Sequence, residues 1–198
     1  MASRTLMEVA VAVALFAGPA GAGEVFVGAY AHDVADGISY GKFESGAQIV
    51  VGARTTALDE LKVLGRPRVH LLAGVNASGE TSYVAAGLSW RFDLTKRLYA
   101  QPGIGLAVHD GRIKIPSPNE PGITPQERLR RMSDRQTRLD LGSRILFEPE
   151  LSLGWKATDR LSLELSWIHL SHARLAGSYN PGLGDVGLRV LYRYGLDR

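Results

Sequence analysis

Residues 139–156 alternate between apolar and polar side chains over most of eighteen positions, with Ser143 and Leu146 as the exceptions. Leu139, Leu141, Ile145, Phe147, Leu151, Leu153 and Trp155 share one face, and Asp140, Arg144, Glu148, Glu150, Ser152 and Lys156 share the other. Successive strand side chains point to opposite faces, so this pattern predicts a strand with one greasy and one charged side. Its length is the sharper constraint. Strands in soluble sheets run to about 5–6 residues, whereas a strand tilted across a bilayer needs about 9–11 and can continue beyond it. The charged row is costly in a dry core. It suits the polar lumen of a barrel whose apolar face is turned outward to lipid.

The same alternation recurs at 82–92, with Val84, Ala86, Leu88, Trp90 and Phe92 opposite Tyr83, Ala85, Gly87, Ser89 and Arg91. Eight strands are expected near 24–32, 46–54, 67–75, 81–92, 97–108, 139–156, 160–172 and 184–194. The expected fold is therefore all-β, an eight-stranded antiparallel transmembrane β-barrel. An even strand number returns both termini to the periplasmic side. The turns at 93–96 and 157–159 are short, as that side requires, and the long connection 109–138 falls on the extracellular side. The connection 55–66 is long for a periplasmic turn. The chain ends in Tyr192, Tyr194 and four further residues rather than in a terminal aromatic.

Residues 1–22 read as a cleaved secretory signal, with Arg4, an apolar stretch over 9–18 and the small residues Ala20, Gly21 and Ala22. The stretch is too short for a membrane helix, which needs about 20 residues. The barrel then occupies 23–198, exported to a Gram-negative outer membrane. The chain has 23 glycines, which suit tight turns and crowded barrel positions better than helices. It has no cysteine, so disulfides and thiolate metal sites are excluded. A formal charge of +3 does not point to nucleic acid. The 109–138 connection holds Arg112, Lys114, Arg128, Arg130, Arg131, Arg135 and Arg138 against Glu120, Glu127 and Asp134. Two readings stay open for it: a surface for phosphate groups, or a solvated loop with a short helix near 125–134.

The chemistry is carried by the seventh strand. Leu161, Leu163, Leu165 and Trp167 form an apolar row, and the same parity continues to His169 and Ser171. An imidazole and a hydroxyl two residues apart thus share the lipid-facing side at the extracellular strand end. A hydroxyl becomes a competent nucleophile when a base accepts its proton, and imidazole suits that task. His-x-Ser alone also describes ordinary polar residues at a barrel rim. Glu148, Glu150 and Glu164 have lumen parity and are expected to contact Arg144, Arg189 or Arg193; His70 and His109 face the lumen or rim.

The run Ser166-Trp167-Ile168-His169-Leu170-Ser171-His172-Ala173, followed by Asn180-Pro181-Gly182-Leu183, resembles the lipid A 3-O-deacylase family of PagL-type outer-membrane enzymes. Residues 142–150 and 72–76 also look like that family, and the resemblance covers about 70–194. It implies a serine esterase without cofactor or metal, acting on lipid A of lipopolysaccharide in the outer membrane, with His169 as base and Ser171 as nucleophile. No nucleic-acid partner is implied, and a homodimer is left open. The chain departs from the family at two places. His172 stands where the family has an asparagine linked to oxyanion stabilisation. The family's acid would fall at 184, which is Gly184, with Asp185 next. A bulge at Gly184 would re-aim Asp185, making it the candidate acid. Two other readings are a non-enzymatic structural or adhesive barrel and a soluble lipocalin-like binder with reversed sidedness.

Overall fold

The computed structural model describes residues 22–39, 43–175, 177 and 179–195. Residues 1–21 of the expected signal segment lie outside them. Strand β1 is Gly23–Ala31, β2 Ala47–Thr55, β3 Arg68–Asn76 and β4 Tyr83–Ser89, resuming at Phe92–Asp93. Then follow β5 at Leu98–His109, β6 at Ile145–Lys156, β7 at Leu161–Leu170 and β8 at Leu183–Tyr194. Each strand pairs antiparallel with its neighbours in the chain, and β8 returns to β1 from Gly23↔Tyr194 to Ala31↔Val186. The result is a closed eight-stranded barrel with no open edge. No helix among the described residues is long and apolar enough to cross a membrane; the strands do so.

The sidedness is that of a membrane barrel. Val27, Leu106, Leu151, Leu165, Leu188 and Val190 are exposed on the outer wall, while Arg54, Glu150, Glu164 and Arg189 are buried inside. A lipocalin-like binder would show the reverse. The buried charges are paired. Arg54 donates to Glu164 at 3.1 Å and to Glu150 at 3.0 Å, Arg189 to Glu164 at 2.5 Å and to Ser152 at 2.7 Å, and the Tyr99 hydroxyl to Glu164 at 2.8 Å. His70 bonds Glu148 at 3.1 Å. Of the expected arginines only Arg189 joins this cluster: Arg193 reaches Glu24, and Arg144 donates to the His109 and Gly111 carbonyls. Such a small lumen is filled by side chains. Toward the long-loop end the filling turns apolar, with Val50, Leu72, Leu146, Ile168, Leu170 and Leu183.

One expected strand boundary is corrected. β6 starts at Ile145, not at 139, because Gly142 takes a positive φ of 71° and breaks the alternation. Leu139 and Leu141 are buried rather than lipid-facing. Their segment is tied across the barrel mouth, with the Leu141 N–H on the Arg112 carbonyl and the Leu139 N–H on Glu44. Helix α1, Pro125–Thr137, carries much of the basic connection, with Thr124 capping the Glu127 N–H and proline at its start. Several of its cations are engaged within the loop: Arg130 and Arg131 on Glu127, Arg131 also on Glu120, Arg112 on Asp134. Arg138 pairs with Glu80. The long connection 55–66 folds into a 3₁₀ helix, Asp59–Leu64, whose last carbonyl accepts the Trp90 indole N–H at 2.7 Å.

Candidate active site

The β6–β7 register runs without a slip from Glu150↔Ile168 to the bridge Phe147↔Ser171. Parity is therefore preserved through the end of β7, and His169 and Ser171 share the outward face that carries Leu161, Leu163 and Leu165. Both sit at the long-loop end of the wall. The Ser171 N–H donates to the Phe147 carbonyl and the Ser171 carbonyl accepts the Phe147 N–H, which pins the nucleophile's backbone to β6. Ser171 is half-buried, whereas His169 is only 2% exposed despite its outward parity.

The segment 32–39 and the segment before β8 account for that burial. His169 Nδ1–H donates to Asp36 Oδ2 at 3.1 Å. The Trp167 indole stacks on the imidazole at 5.7 Å between centroids and 23° between planes, and its N–H donates to the same Asp36 oxygen at 2.8 Å. The other oxygen, Oδ1, accepts the Ile38 and Ser39 N–H groups and the Ser39 hydroxyl. Burial pushes the Asp36 pKa up, but the Ser39, Trp167 and Ile38 donors outweigh it and hold the carboxyl well below the usual carboxylate range. Gly182, at a φ of 67°, packs on the imidazole: a Cβ there would lie 2.7 Å from His169 Cε1. His169 Nε2 has no hydrogen-bond partner among the described residues, so the basic lone pair is uncommitted.

Asp185, the candidate acid, is placed in the lumen and bonded to His32 rather than to His169. The β7–β8 register is continuous from Leu161↔Tyr192 through His169↔Gly184 to Leu170↔Leu183, so no bulge re-aims it. Asp185 lies opposite Ile168 and faces the lumen. Its carboxylate accepts His32 Nδ1–H at 2.9 Å, the Asp33 N–H at 3.3 Å and the Tyr83 hydroxyl at 2.9 Å. The space at 184, where the resemblance places an acid, is filled by Asp36 instead. His172 follows its parity inward, is buried, and bonds the Tyr179 carbonyl at 3.1 Å, so its ring does not serve the Ser171 face. Asp36 carries no periodic signal; Asp36, Gly37 and Ser39 read as a turn, which says nothing of where the turn docks.

His32 also bonds Glu44 at 3.2 Å, on the nitrogen not used by Asp185. Burial lowers its pKa, but the bonds to Asp185 and Glu44 prevail and raise it to about 9. With the folded pKa above the unfolded one, this stabilisation is complete below about pH 6.5 and is lost as pH rises through about 9. Amides of 32–39 are expected to exchange faster above that pH than their intrinsic rates dictate, measured by hydrogen–deuterium exchange, while β7 amides keep their protection.

Residues 68–193 match the family described as lipid A 3-O-deacylase (PagL). The chain belongs to this family. The PagL match takes in His169, Ser171, Gly184 and Asp185 and begins downstream of Asp36. The crystal structure of the outer membrane enzyme PagL is similar at 16% identity, covering 85% of this chain and 98% of that one, with a TM-score of 0.54. Neisserial surface protein A is similar at 13% identity, 89% and 99% coverage and a TM-score of 0.51. A designed transmembrane β-barrel matches at 11% identity, 89% and 98% coverage and a TM-score of 0.50. At these identities the likenesses show the fold alone. No curated protein matches the chain. Fold and PagL membership together assign the chain to the outer membrane; they give no support to a homodimer.

Proposed function

We propose that this chain is a lipid A 3-O-deacylase, exported with loss of residues 1–22, that hydrolyses the 3-position acyl ester in the outer leaflet. The observation that carries the reading is the apolar row of β7 ending in His169 and Ser171 on the outer wall of a PagL-family barrel. A lipid substrate reaches that wall by lateral diffusion, without entering the filled lumen. In this reading Ser171 Oγ attacks the ester carbonyl as its proton passes to His169 Nε2. The tetrahedral intermediate collapses, and the proton goes to the departing sugar oxygen. Water, activated by the same imidazole, then releases the fatty acid from Ser171. The Ser171 N–H is committed to Phe147, so backbone amides of the turn 172–174 hold the oxyanion. The hydrogen bond between Nε2 and Oγ belongs to the substrate complex, since such bonds commonly tighten only there.

Mass spectrometry of lipid A from cells with and without the protein tests this. Loss of one 3-hydroxyacyl chain is expected with the wild type and absent with Ser171→Ala. An unchanged spectrum from cells holding the folded wild-type barrel would defeat the reading and leave a structural or adhesive barrel.

A further inference from the structure

We propose that Asp36, delivered by the segment 32–39, is the carboxylate that orients His169, and that the Gly184-Asp185 pair on β8 is the seat that holds this segment in place. The proposal rests on the esterase reading of His169 and Ser171. An imidazole base works best when its second nitrogen is held by an acceptor that selects the tautomer and stabilises the imidazolium. Among the described residues, Asp36 is the carboxylate bonded to His169, and the bond is to Nδ1. That leaves Nε2 as the basic nitrogen, on the atom without a partner.

The placement is held from both sides. Ile38 and Ser39 fix one oxygen, and the Trp167 indole shares the other with His169. Position 184 lies directly across from His169 in the ladder. A Cβ there would stand 2.5 Å from Asp36 Oδ2, so the carboxylate fits only beside a glycine. The Gly184 carbonyl also accepts the Val34 N–H at 2.8 Å. The next residue, Asp185, grips the loop from the lumen through His32 and the Asp33 N–H. Asp185 is thus a positioning residue one step removed: it holds the loop that carries Asp36.

The geometry offers a reciprocal test. The 2.5 Å between a Cβ at 184 and Asp36 Oδ2 is close to the separation of Cβ from a carboxylate oxygen within one aspartate. Gly184→Asp can therefore return an oxygen to the same place once Asp36→Ala has vacated it. Full-length protein, refolded and checked by heat-modifiable gel migration, would be assayed on lipid A in mixed micelles. Asp36→Asn keeps an oxygen for the Ser39 turn, yet is expected to lower kcat by about 10²–10⁴-fold with KM nearly constant. Asp36→Ala and Gly184→Asp alone should both be impaired, and the double variant at least about tenfold more active than Asp36→Ala. A merely structural role predicts no such rescue.

Wild-type kcat in Asp36→Asn, with His169→Ala and Ser171→Ala inactive, would overturn the assignment and leave the esterase reading standing. So would a folded double variant no faster than Asp36→Ala. Activity retained in Ser171→Ala would remove the esterase reading and this proposal with it.

Discussion

Purified protein carrying His169→Ala is expected to release fatty acid from lipid A about 10³–10⁴-fold more slowly than the wild type, with little change in KM. The effect is large because no other imidazole can take over. His70 is buried in the lumen on Glu148, His109 donates to the Ser143 carbonyl, His32 is held between Asp185 and Glu44, and buried His172 bonds the Tyr179 carbonyl. Ser171→Ala should cost a similar factor, and the double variant scarcely more, since a base and its nucleophile act as a unit. Single-turnover measurement of released hydroxy fatty acid separates this loss in the chemical step from a loss of binding. Additive losses in the double variant would show that the two residues do not act together.

The largest expected effect on stability lies in the lumen. Arg189→Met should destabilise the barrel by about 3–5 kcal/mol, because it leaves Glu150 and Glu164 buried with Arg54 as their remaining shared cation. The guanidinium also lies 4.5 Å from the centroid of the Phe26 ring, a contact the methionine would change in kind. Removing an anion as well, in Arg189→Met with Glu164→Gln, should destabilise less than the single change, because fewer charges are left uncompensated. Urea unfolding of the refolded barrel in detergent reads both values. A loss below about 1 kcal/mol for Arg189→Met would mean that water or side-chain rearrangement solvates the carboxylates, as at an exposed pair.

Much of this molecule is legible locally. Alternation along a strand depends only on neighbouring residues, so the sidedness of the wall and the shared face of His169 and Ser171 followed from parity. Parity also placed Asp185 toward the lumen; the bulge invoked to turn it round does not occur, because the β7–β8 pairing runs unbroken past Gly184. Leu139 and Leu141 mark where parity stops being informative. Their apolar side chains fit a lipid face and a plugged mouth equally well, and the choice fell to the positive φ of Gly142 and the ties to Arg112 and Glu44.

The starting feature, a long strand with a greasy and a charged side, pointed by itself to a membrane-spanning wall; that eight such strands close into a barrel is shown by the pairing of β1 with β8. A base and a nucleophile on its outer wall could be read the same way. The partner of that base could not. Asp36 is 133 residues from His169 in the chain, on a loop with no period to extrapolate. Only closure of the barrel brings β1 beside β8, so that the loop leaving β1 lies over Gly184 and its carboxylate meets the imidazole.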